Sequence, residues 1–274
     1  MNNLIKRSIT GIIFILILAG AILLGHFSYY VIFLIIMTIS LLEFIELTKN
    51  IELKIPKIPT LILGVIIFSL TFLEAQKLIH TSWLSLAILP AILTPLFTFI
   101  KQNNNQLLEI CLNFFGMIYI ILPLSLANYL VFPANDVNHA YYPDLLMFIF
   151  ILIWTHDTFA YITGKYAGKH KLSKQISPAK TWEGTIGGTT ISIIVAVIIG
   201  YFSTNYPIIH FIALPIIISS AATLGDLTES SLKRTAKVKD SGNILPGHGG
   251  ILDRFDAAFF AIPATFIYIK FFLI

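Results

Sequence analysis

Residues 144–165 read DLLMFIFILIWTHDTFAYITGK, and this stretch decides the fold. Its apolar part is long enough to cross the hydrocarbon of a bilayer as a helix, which needs about 20 residues. One carboxylate, Asp157, sits inside it. Comparable apolar runs recur from end to end. The 274-residue chain is 57% hydrophobic and 12% charged, where a soluble domain carries about a quarter charged residues. The reading is an all-α polytopic membrane protein.

About nine transmembrane helices are expected, near 9–25, 28–47, 58–73, 82–100, 110–132, 144–164, 185–204, 207–225 and 255–273. The first is read as an uncleaved span and the third as short. With the N-terminus cytoplasmic, all eighteen Lys and Arg except Lys77 and Lys270 fall on the cytoplasmic side. That asymmetry is the positive-inside pattern. It puts the C-terminus outside and two charged loops, 165–184 and 226–254, on the cytoplasmic face. Residues 1–133 read as a transmembrane frame. Residues 144–274 read as the catalytic region, because the polar chemistry lies almost entirely after Trp154. The single cysteine, Cys111, excludes an intrachain disulfide and a cysteine-based metal site. No internal repeat of the kind that builds secondary transporters is evident.

Asp157 is a functional candidate because an unpaired ionised group in hydrocarbon is costly. Its neighbour His156 reads as a packing or hydrogen-bonding residue. The loop after it, GKYAGKHKLSKQISPAKTWEG, carries Lys165, Lys169, Lys171, Lys174 and Lys180. A loop that only fixes topology needs scattered lysines. It does not need the specific polar turn from Ser177 to Gly184, which includes Lys180 and Glu183. Gly164 and Gly168 lack the spacing of a phosphate-binding P-loop, and no Ser or Thr follows Lys169. Gly184, Gly187 and Gly188 open the seventh span at a spacing that suits close helix packing.

Asp226, Glu229 and Ser230 stand at i, i+3 and i+4, so they share a face if the helix continues that far. Asp253 and Asp256 are three apart at the start of the last span. Between these groups lie Lys233, Arg234, Lys237, Lys239 and Arg254, with the turn Pro246-Gly247-His248-Gly249-Gly250. Arginine forks and lysine ammoniums grip phosphate oxygens. Glycines let backbone N–H groups approach an anion. His248 reads as a hydrogen-bond donor, an acid or a brace for the turn. Carboxylates without cysteine, amid phosphate-binding groups, suit a hard cation such as Mg²⁺.

Ser230, Lys233, Arg234, Lys239, Asp240, Pro246 to Gly250, Asp253, Arg254 and Asp256 together resemble the signature of the phosphatidate cytidylyltransferases. Asp157 to Tyr161, Gly164 and the run Ile176 to Gly184 are similar to the same family. The specific match covers about the last 120 residues of the sequence. The resemblance implies that CTP and phosphatidate give CDP-diacylglycerol and pyrophosphate. It also implies a homodimer in the cell membrane that uses Mg²⁺ with a potassium ion beside it. The family's metal-binding aspartates fall on Asp226 and Asp253, with Glu229 and Asp256 as secondary candidates.

The expected catalytic set is then Asp226, Asp253, Lys233, Arg234, Lys239 and His248. The expected substrate-binding set is Asp157, Lys165, Lys180, Glu183, Ser230, Gly249, Gly250 and Arg254. The site would face the cytoplasm, where CTP is found, and no nucleic-acid partner is expected. A cytidylyltransferase acting on another lipid phosphate is the nearest alternative. A secondary transporter for an anionic solute, or a polytopic scaffold, stands further off.

Overall fold

The computed structural model describes residues 3–97, 105–133, 140–202, 206–244 and 249–273, with the side chains of 3–8, 95 and 96 excepted. Helices α1 (Asn3–Leu23), α2 (His26–Lys49) and α3 (Lys57–Ala75) come first. A 3₁₀ segment, Thr81–Ala87, leads into α4 (Ile88–Leu96). Next comes α5 (Gln106–Gly116), which runs through a π-turn at Met117–Ile121 into α6 (Leu122–Val131). Pro123 follows that turn; it lacks the N–H that the next regular backbone bond requires. Then come α7 (Asp144–Ala167), the strands β1 (Lys171–Ser173) and β2 (Ser177–Thr181), α8 (Trp182–Phe202), α9 (Ile208–Thr235) and α10 (Leu252–Phe272).

Among the described residues, seven helical segments are long and apolar enough to cross a membrane. The expected first span corresponds to the 21-residue α1, apolar over Ile9–Leu23, and the fourth to the shorter apolar helix Thr81–Thr94. The third, expected to be short, is a full 19-residue helix. The irregular span is the fourth, where the 3₁₀ segment precedes a helix that contains Pro90 and Pro95. The architecture is all-α and polytopic, with the β1–β2 hairpin as a small addition.

The chain forms two compact units, residues 1–145 with 232–255, and residues 146–231 with 256–274. In the first unit, α2 supplies Tyr29, Phe33, Met37, Leu41 and Phe44, and α3 supplies Phe68, all fully or almost fully buried. Tyr30 packs on Phe72 with ring centroids 4.6 Å apart. Lipid tails are as apolar as these side chains, so packing and polar ties hold the helices together. Asn128 of α6 is one such tie. Its Oδ1 accepts from Tyr29 Oη at 2.9 Å, and its Nδ2 donates to Thr71 Oγ1 at 2.9 Å. A second tie runs from Asn113 Nδ2 to Thr60 Oγ1 at 3.0 Å. Helices α2 and α3 end in the same kind of turn, with Glu52 and Lys77 in the left-handed region and Leu53 and Leu78 donating five residues back.

In the second unit, small residues bring backbones together. Gly188 of α8 lies against His156 and Ala160 of α7, and Gly225 of α9 lies against the carbonyl of Asp256. Large apolar side chains such as Ile186, Ile198, Ile212 and Ile216 point outward, as lipid-facing surfaces require. Helix α9 has 28 residues, about 42 Å at 1.5 Å per residue. That exceeds the roughly 30 Å hydrocarbon thickness. Its charged end, from Asp226 onward, therefore remains helical after the apolar run has stopped.

Candidate active site

In the second unit the hairpin is built to present Lys180. Lys171 pairs with Thr181 and Ser173 with Ser177 across the antiparallel ladder. Glu183, in the first turn of α8, closes the base of the hairpin. Its carboxylate accepts from the backbone N–H groups of Lys169 at 3.0 Å and His170 at 3.1 Å, and lies 2.5 Å from His170 Nδ1. Thr181 is buried, and its Oγ1 accepts from Gly184 N at 3.1 Å. That bond satisfies one of the N–H groups left open at a helix start.

Held this way, Lys180 places its ammonium on Oδ2 of Asp226 in α9. The other oxygen of Asp226 accepts from Ser230 Oγ at 3.1 Å, one helical turn on. The carboxyl of Asp256 lies within electrostatic reach of Asp226, Asp157 and Lys180. Three expected carboxylates and the expected lysine are thereby gathered in one region. His156 turns aside, buried, with Nε2 3.2 Å from Thr223 Oγ1. Glu229 is fully buried, whereas Asp226 is part-exposed. Lys165 is exposed in the last turn of α7, with its ammonium 5.6 Å from the centre of the Tyr166 ring.

The first unit holds the other part of the expected constellation. Helix α9 closes with Lys237 in the left-handed region, where Val238 N donates to Lys233 O at 2.9 Å. Lys233 Nζ lies 2.6 Å from Oδ1 of Asp253, and both side chains are largely buried. Oδ2 of Asp253 accepts from Ser241 N at 2.9 Å, Ser241 Oγ at 2.9 Å and Gly250 N at 2.7 Å. Gly249 has φ +80°, a conformation that other residues rarely adopt. Arg234, Lys239 and Arg254 are exposed. His248, with Pro246 and Gly247, lies outside the described residues.

Two residues escaped the reading of the sequence. Ser241 sits beside Asp253, and Glu43 of α2 accepts from Ile251 N and Leu252 N at the start of α10. Glu43 had a legible signal. It is a carboxylate near the end of an apolar run, the same feature that marked Asp157.

Comparison with known proteins identifies the family. The profile of the cytidylyltransferase family matches residues 5–272. A phosphatidate cytidylyltransferase of Haemophilus influenzae is 36% identical over 262 residues, covering 86% of this chain and 88% of that protein. One from Staphylococcus haemolyticus is 34% identical, covering 94% and 95%. One from Bacillus subtilis is 30% identical over 277 residues, covering 99% of this chain and all of the relative. This chain belongs to the cytidylyltransferase family.

Proposed function

We propose that this multi-pass membrane protein transfers the cytidylyl group of CTP to phosphatidate, giving CDP-diacylglycerol and pyrophosphate. The observation that carries the reading is the Lys180–Asp226 pair. It joins the polar turn after α7 to the carboxylate-bearing end of α9, two stretches that the sequence presents separately.

A phosphate oxygen of phosphatidate attacks the α-phosphorus of CTP. A new P–O bond forms, the bond to the β-phosphate oxygen breaks, and pyrophosphate leaves with that electron pair. The attacking oxygen is already anionic near neutral pH, so no strong general base is needed. The barrier is the approach of two anions, and it is lowered by alignment and by neutralising charge. Lys180, Lys233, Arg234 and Lys239 would grip the phosphates, with Arg254 and Lys165 supporting them. Ser230 and Gly250, which here donate to Asp226 and Asp253, would turn to phosphate together with Gly249 when substrate binds. Asp157 lies in the span through which a lipid headgroup would approach.

The residues fit a hard cation. Asp157, Asp226 and Asp256 gather with Lys180, and carboxylate oxygens are the donors that Mg²⁺ takes. Among the described residues no group of three or more His, Cys, Asp or Glu is placed to hold a metal ion. An ion here would therefore bind through one or two carboxylates and complete its shell with water and phosphate. Asp226 and Asp253 are assigned to Mg²⁺, with Glu229 and Asp256 as further carboxylates and potassium as a second ion. When bound, the cation neutralises charge on the triphosphate and the departing pyrophosphate. We also assign the site to the cytoplasmic face and the working form to a homodimer.

The test is direct. Purified protein in detergent receives labelled CTP, phosphatidate and Mg²⁺, and lipid extracts are examined for CDP-diacylglycerol. Formation of that lipid with one pyrophosphate per turnover is expected. Its absence from folded protein, across several acyl chains and divalent cations, overturns the proposal.

A further inference from the structure

We propose that Glu43, a carboxylate in the N-terminal frame, is a positioning residue that holds the start of α10 and thereby aims Asp253; the inference rests on the cytidylyltransferase reading above. Glu43 is 6% exposed. Its Oε1 accepts from Ile251 N at 3.1 Å, and its Oε2 accepts from Leu252 N at 2.7 Å. The first N–H groups of a helix have no partner within it. A carboxylate that bridges two of them gains charge-assisted bonds and the favourable end of the helix dipole.

The same carboxylate is coupled to Asp253 through one side chain. Ser241 Oγ lies 2.9 Å from Asp253 Oδ2 and 3.3 Å from Glu43 Oε2. The hydroxyl has a single proton to place between two carboxylates. Asp253 in turn accepts from Gly250 N, next to the N–H groups that Glu43 holds. Lys233 balances Asp253 on the opposite oxygen. The two carboxylates thus share one cradle, made of Ser241 and residues 250–252.

The backbone is shaped around Glu43. A Cβ on Gly242 or Gly250 would land on its carboxylate. That carboxylate is pinned by its hydrogen bonds and cannot swing away without releasing α10. Helix α2 therefore supplies an internal anchor for the stretch that carries the family signature. Glu43 reaches the chemistry through the backbone and through Ser241, which is why its effect should appear in turnover.

The test compares the full-length wild type with Glu43→Gln and Ser241→Ala in detergent. The glutamine keeps the shape and one acceptor but sets an NH₂ group against a backbone N–H. For Glu43→Gln, kcat should fall at least tenfold while the KM for CTP stays within about threefold. Hydrogen exchange of the 241–253 segment should accelerate at least tenfold, with exchange in α5 and α6 unchanged. Ser241→Ala should give a smaller loss of kcat with the same split. Wild-type kcat in both folded variants, or loss of protection spread evenly over the chain, overturns the inference. If Glu43→Gln does not fold, Ser241→Ala decides by the same kcat criterion. A wild-type protein that makes no CDP-diacylglycerol refutes the parent reading instead. In that case exchange at 241–253 alone still judges the anchor.

Discussion

Lys233 Nζ lies 2.6 Å from Asp253 Oδ1, with the two side chains only 13% and 5% exposed. A pair this buried is held by its geometry, and removing one partner strands the other charge. Asp253 has three further donors, from Ser241 and Gly250. Asp253→Asn keeps the shape and one acceptor, so the protein should still elute as a folded species. Its kcat should fall at least hundredfold. Near-normal turnover at saturating Mg²⁺ would remove Asp253 from the cation. Lys233→Ala should raise the KM for CTP, and unchanged kinetics would give Lys233 a structural part only.

Lys180 and Asp226 are both part-exposed, so their pair contributes little to stability. Its value is expected in chemistry. Lys180→Ala and Asp226→Asn should each lower kcat/KM by about 100-fold while thermal unfolding barely moves. The exchange Lys180→Asp with Asp226→Lys restores opposite charges but puts a carboxylate where phosphate is expected. It should stay inactive. Recovery of activity in the exchange variant would show that the pair matters only as a brace.

Gly225 faces the carbonyl of Asp256 so closely that any Cβ would collide with backbone. Backbone cannot step aside as a side-chain tip can. Gly225→Ala should therefore push α9 and α10 apart and cost about 1–3 kcal/mol, the range for overpacking. It should also lower activity, because Asp226 and Asp256 adjoin the contact. A melting temperature equal to wild type would show that the helices tolerate the added methyl.

Glu52 ends α2 with φ 62°. A non-glycine residue there carries a cost of roughly 1 kcal/mol against the preferred right-handed region. Its turn is kept by Glu52 N donating to Lys49 O at 2.9 Å and Leu53 N to Thr48 O at 3.0 Å. Glu52→Gly should preserve both bonds and raise stability by up to about 1 kcal/mol, with activity unchanged. Thermal unfolding in detergent checks it, and a lower midpoint would mean that the Glu52 side chain contributes more than its backbone strain.

The apolar runs determine by themselves that the chain is helical and membrane-spanning, because backbone polar groups in hydrocarbon must be satisfied within the segment. Local spacing also determines that Asp226 and Ser230 share a helix face, once the helix continues beyond 225. The tertiary structure decides the rest. Hydropathy falls at Asp226 because charges appear there, but helical hydrogen bonding does not stop where apolarity does. The hairpin that carries Lys180 owes its position to Glu183 bonding backward to Lys169 and His170. The link from Glu43 to Ile251 and Leu252 spans some 200 residues. No periodicity records such a contact, since a buried carboxylate finds its donors only after the helices have packed.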